Sequence, residues 1–154
     1  MRLEGGVEIR APRDCVWAFL LDPDEVRGCL PAVRSVERLG EGRYAAEVKV
    51  GVGFLSLVVP AAVAYERTDP PAAMTVTIRG AAHGSTAEVS VEVRLDEGPG
   101  SSTYLAWAAD VEVGGALASL APRLLDGPAP EAIAQALDCA RGRLEALGEA
   151  GEGS

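Results

Sequence analysis

Apolar and polar residues alternate strictly from Ala87 to Leu95, where Ala87, Val89, Val91, Val93 and Leu95 are interleaved with Glu88, Ser90, Glu92 and Arg94. A period of two sends the two sets to opposite faces of a strand, one toward a core and one toward water. The pattern recurs at Tyr44, Ala46, Val48 and Val50, at Met74, Val76 and Ile78, and at Leu105, Trp107, Ala109, Val111 and Val113. A first strand runs from Leu3 to Arg10. Turn residues separate the runs at Gly40-Glu41-Gly42, Asp69-Pro70-Pro71, Gly80 to Gly84 and Glu97-Gly98-Pro99-Gly100. Each is short enough to join antiparallel neighbours directly, so the strands form a meander. Phe54 to Arg67 is apolar on both faces at Leu57-Val58-Val59 and carries Pro60. A proline lacks the ladder donor, which predicts an edge position or a bulge there.

Helical spacing appears twice. After the first strand, Val16/Leu20 and Trp17/Leu21 form i, i+4 pairs behind Pro12, and Asp22-Pro23-Asp24-Glu25 offers an acidic cap with proline next to it. Two short helices with a sharp turn at Asp22 follow. Near the C-terminus, Ile133, Leu137, Ala140, Leu144 and Leu147 mark an apolar stripe, predicting a helix from about Pro130 to Leu147. Leu117, Leu120 and Leu124 have similar spacing upstream, but Pro128 and Pro130 intervene, so a break is expected near Gly127-Pro128. The Gly/Glu-rich stretch 148–154 reads as a disordered tail behind one domain, 1–147.

This order of elements is α+β, a curved antiparallel sheet closed by one long helix. Composition narrows the function. The 154 residues carry a net charge of -9 with the arginines scattered, which argues against a nucleic-acid partner. The N-terminus lacks a secretory pattern and the longest apolar run is too short to span a bilayer, so a cytoplasmic protein is expected. Cys15, Cys29 and Cys139 are odd in number and widely spaced, and read as free thiols of a reducing compartment. His83 is the only histidine and sits among turn residues, so neither a metal site, a cofactor nor a histidine-based triad is expected. Gly51-Val52-Gly53 lacks the following helix and lysine of a phosphate loop. The acid pairs Asp22/Asp24 and Asp110/Glu112 are explained as caps and wet strand faces. No catalytic residue is assigned.

Four segments in this order carry a resemblance: Ala11-Pro12-Arg13-Asp14-Cys15-Val16-Trp17-Ala18-Phe19-Leu20-Leu21-Asp22-Pro23, Cys29-Leu30-Pro31, Val48-Lys49-Val50-Gly51-Val52-Gly53, and Asp110 to Leu120. Together they resemble CoxG, a family of carbon monoxide dehydrogenase subunits within the START-like (SRPBCC) superfamily. The resemblance implies a helix-grip fold and a non-enzymatic accessory protein of a molybdenum CO dehydrogenase-like hydroxylase. It also implies a hydrophobic cavity for a lipid- or quinone-like molecule and peripheral contact with the inner face of the membrane. Two departures stand out. Ala32 follows Cys-Leu-Pro where the family has glycine, and Pro128, Pro130 and Ala136-Leu137 replace an unbroken, aromatic-bearing helix. Longer members also have a C-terminal extension.

The large residues expected to shape the cavity are Trp17, Met74 and Trp107, with Val76 and Val91 on the sheet face and Leu120, Leu124, Ile133 and Leu137 as a helical lid. Leu30-Pro31 and a Gly114-Gly115 hinge are expected at its mouth. Two other readings use the same fold: a cyclase or dehydratase, which needs an acid or base inside the cavity, and an interaction module that uses the acidic outer sheet face over a filled core.

Overall fold

The computed structural model describes residues 1–52, 55–82 and 84–152. Gly53, Phe54 and His83, which figured in the expectations above, lie outside them.

Seven strands form one antiparallel sheet in the order β1-β7-β6-β5-β4-β3-β2. They are β1 Arg2–Ile9, β2 Val33–Gly40, β3 Arg43–Val52, β4 Leu55–Asp69, β5 Ala73–Ala82, β6 Ser85–Gly98 and β7 Ser102–Gly115. Strands β2 to β7 pair in sequence order, and β1 closes the far edge against β7. The period-two residues share one face: Gly5 is opposite Trp107, Trp107 opposite Val93, and Val93 opposite Met74.

Pro60 lies on an interior strand rather than an edge strand, and the register shift of that strand does not fall at it. β4 is flanked by β3 and β5, yet its ladder to β5 begins only at Ala61↔Gly80, while its ladder to β3 extends to Val52↔Leu55. Residues 55–60 are therefore an edge on one side only. A register shift between Tyr65 and Arg67 supplies the bulge further along.

Helices α1 (Arg13–Leu21) and α2 (Pro23–Gly28) bridge β1 and β2. The turn between them is set by Asp22, whose carboxylate accepts hydrogen bonds from the backbone N–H groups of Asp24 at 3.0 Å and Glu25 at 3.3 Å. After β7 come a single 3-10 turn, Ala118–Leu120, then α3 (Ala121–Asp126) and α4 (Pro128–Glu152). The break falls at Gly127, as the two prolines require. Pro128 and Pro130 both lie in the first turn of α4, where backbone N–H groups have no partner inside the helix, so neither costs a bond. The first bond of that helix runs from Glu131 N–H to Gly127 O. α4 starts earlier than expected and continues to Glu152, into the stretch expected as a tail. Glycine and glutamate extend an established helix more readily than they would start one.

Candidate functional site

The inner sheet face has two differently finished ends. At the end beneath α1, Ile9, Val16, Phe19, Leu95, Leu105 and Leu144 are buried in one cluster. Two hydroxyls there are satisfied: the fully buried Thr103 hydroxyl donates to Ala11 O at 2.7 Å, and the Tyr65 hydroxyl donates to Leu20 O at 2.8 Å. Burial, with a smaller effect of Tyr44 beside it, pushes the Tyr65 phenol up to about 12. Tyr44 meets Tyr65 edge-on, with ring centroids 5.9 Å apart. This end is closed.

Beyond it the same face stays partly open. Val63, Ile78, Val89, Val111 and Val113 alternate inward like the core residues, yet each is only half-buried. Leu117, Leu120 and Ile133, on the segments that cover this end, are half-buried too. Between them lie small residues: Ala61, Gly80 and Ala87 face one another across three strands, and Ala109 lies further along β7. They carry less side-chain volume than Met74, Leu95 and Leu105 at the other end.

The structure divides the expected cavity residues accordingly. Trp17, on α1, and Met74, on β5, are both buried in the closed cluster. Val76, Trp107 and Leu137 are half-buried against that cluster, at the boundary between the two ends. Val91, Leu120 and Ile133 are half-buried, Leu30 is half-buried, and Pro31 is exposed. The side chain of Leu124 lies outside the described residues. Trp107 adds a feature that periodicity cannot show: its ring lies over Gly5, where a Cβ would stand 3.1 Å from Nε1, and Nε1 is buried without a partner among the described residues.

The expected Gly114-Gly115 hinge is pinned. Gly115 has φ +76°, a left-handed conformation that favours glycine, and a Cβ there would collide with Gly84 O. Ala116 N–H bonds to Gly84 O at 3.2 Å and Leu117 N–H to Ser85 Oγ at 2.9 Å. Glycine is present for a close approach, so this junction is a fixed corner.

The cysteines correct a second expectation. Cys29 and Cys139 form a disulfide, with Cα atoms 5.5 Å apart, and only Cys15 remains free and exposed. Spacing along the chain hid the pair, because 110 residues separate them and the path of α4 brings them together.

On the outer sheet face, a groove of about 1080 Å³ crosses the strands behind the row Gly5, Trp107, Val93, Met74 and Thr68. Its walls carry Glu4, Glu66, Glu92, Arg67 and Arg94. These charges are exposed, and Glu4 is paired with Arg2. No group of three or more His, Cys, Asp or Glu among the described residues is placed to hold a metal ion.

Comparison with known proteins agrees with the geometry. Residues 5–145 match the family model for CoxG, described as a carbon monoxide dehydrogenase subunit. A conserved protein from Geobacillus kaustophilus superposes with a TM-score of 0.85 at 22% identity, covering 94% of this chain and 95% of that one. The Zhui aromatase/cyclase from Streptomyces sp. R1128 gives 0.72 at 20% identity, over 94% and 93%. A START superfamily protein from Mycobacterium smegmatis gives 0.69 at 17% identity, over 95% and 98%. These likenesses show a START-like fold. A search among curated protein sequences finds no match.

Proposed function

The chain belongs to the CoxG family of carbon monoxide dehydrogenase subunits, and on that premise we propose that it is a non-catalytic carrier of an apolar small molecule, quinone- or lipid-like, serving a molybdenum CO dehydrogenase-like hydroxylase. The observation that carries this reading is the half-buried inner face around Val63, Ile78, Val89, Val111, Leu120 and Ile133. Inward-facing aliphatic side chains that the protein itself does not cover gain free energy when a ligand covers them, at roughly 25 cal/mol per Å². The orphaned Trp107 N–H at the boundary favours a ligand with a carbonyl over a plain hydrocarbon, since a buried unpaired donor is costly. No helix among the described residues is long and apolar enough to cross a membrane, so delivery to a bilayer would be by peripheral contact.

An enzyme of the cyclase kind shares the fold, but it would need an acid or base in the interior. The tyrosine nearest to that role, Tyr65, is bonded to a backbone carbonyl and held protonated.

The test is a titration with a short-chain naphthoquinone, followed by tryptophan fluorescence in the Trp17→Phe variant so that Trp107 alone reports. Saturable quenching is expected, and it should weaken in Ile133→Phe, which adds bulk at the open end without adding an indole. No saturable response, together with native mass spectra free of any co-purified apolar molecule, would sink the carrier reading.

A further inference from the structure

The disulfide joins the C-cap residue of α2 to the middle of α4. Apart from the sulfur bond, Val26 of α2 packs against the same apolar cluster as Leu137 and Ala140 of α4. α2 buries none of its own residues completely, and the polar ties to α4 come from one exposed side chain: Arg143 donates to Gly28 O at 3.4 Å and to Glu25 Oε2 at 3.5 Å. Exposed contacts of this kind hold little in water. On its other side α2 is tied to β2, where Arg27 donates to Arg34 O at 2.8 Å. Without the sulfur bond, α2 and the Leu30-Pro31 turn would stay with the sheet and keep only that partly buried apolar contact and the Arg143 ties to α4.

We propose that the Cys29–Cys139 bond is a reversible latch, closed when oxidised and released by a dithiol reductant of the Cys-x-x-Cys class, that controls how far α2 and the Leu30-Pro31 turn part from α4. Access and leaving group are both in place. Cys29 is only 6% exposed, whereas Cys139 is half-buried on the helix side, so the incoming thiolate attacks the Cys139 sulfur and expels Cys29 as a thiolate. The Arg143 guanidinium packs against Gly28, next in sequence to Cys29, where a cation favours that thiolate. The second thiol of the reductant then resolves the mixed disulfide. In sum, the protein gains two electrons and two protons as two thiols, and the reductant becomes a disulfide.

The role of the latch in ligand entry rests on the carrier reading; its effect on the helices does not. The experiment takes the full chain, purified without reductant, through thiol alkylation with mass spectrometry and amide hydrogen exchange, before and after dithiothreitol. Alkylation of Cys15 alone before reduction and of all three cysteines after it is expected, with exchange in residues 23–31 rising about tenfold and reversing on reoxidation. The Cys29→Ser/Cys139→Ser protein should match the reduced state, and Cys15→Ser should behave as the parent. Three reactive thiols in the protein as purified would overturn the proposal. So would reduction that leaves residues 23–31 unchanged, or that raises exchange throughout the sheet, which would make the bond a general staple. In a parallel arm, with Cys15→Ser in both proteins so that no thiol or dithiothreitol meets the quinone, naphthoquinone should associate faster with the Cys29→Ser/Cys139→Ser protein than with the disulfide-bonded one. An unchanged rate beside a loosened α2 would overturn the link to ligand entry, whereas absence of binding in both states would count against the carrier reading alone.

Discussion

The two ends of the inner sheet face are made of the same kinds of residue and finish differently. At one, Leu95 and Leu105 disappear beneath α1 and the later turns of α4; at the other, Val89 and Val111, on the same two strands, remain half in contact with solvent. The difference lies in the cover. α1 brings Trp17 and Phe19, and α4 brings Leu144, whereas the open end lies under the 3-10 turn, α3 and the start of α4, a stretch rich in alanine. The sheet supplies an apolar surface along its whole length, and the volume of the covering side chains decides where it is sealed and where it stays partly exposed.

That contrast can be broken most directly by removing the same amount of side chain from each end. Leu144→Ala should cost about 3 kcal/mol, read as a loss of roughly 6–12 °C in Tm, while Ile133→Ala should cost under about 1 kcal/mol because its methyl groups leave no sealed cavity. Equal losses would mean that the open end is packed after all. Adding volume should give the mirror image. Val16→Phe at the closed end should lose about 1–3 kcal/mol, whereas Ala136→Leu at the open end should leave Tm within about 2 °C and weaken quinone binding. A large drop in Tm for Ala136→Leu would remove the vacant space on which the carrier reading depends. The smallest effect concerns Tyr65. Its phenol titrates near 12 in the folded chain against 10.0 for an ordinary tyrosine, so the unfolded chain gives up its proton first. Stability is therefore unaffected below pH 10 and falls as the pH rises from about 10 to about 12. Tyr65→Phe should flatten that part of the profile, at a cost of about 0.5–1.5 kcal/mol at neutral pH from the lost bond to Leu20. Denaturant titrations at several pH values check both.

The alternation in β6 and β7 was legible because a period of two survives any tertiary context, and Asp22 and Gly127 announced their turns through capping and proline chemistry. Which end of a strand becomes sealed was not. Met74 and Val91 obey the same alternation, but the first is buried and the second half-buried, because α1 reaches only so far along the sheet. Periodicity identifies a face and says nothing of position along it, so it does not show that Trp17 and Met74 lie in the sealed cluster. The Cys29–Cys139 bond and the contact of Gly115 with Gly84 are long-range meetings with no local signature. The orphaned Trp107 N–H depends on Gly5, a residue whose smallness mattered only once β1 was seen to lie beside β7.

The short overhang of β4 bears on how copies of this chain behave toward one another. Between Leu55 and Pro60 the strand has β3 on one side and no ladder partner among the described residues on the other, and it carries Val58, 37% exposed, beside Leu57 and Val59. A bare apolar strand flank is a template on which a second molecule can lay a strand of its own and begin an aggregate. Pro60 stands where that flank begins, its carbonyl oxygen 3.3 Å from the position of a Cβ on Gly80. With no N–H to offer, it interrupts the ladder an intruding strand would need, and so it guards this seam against pairing between molecules.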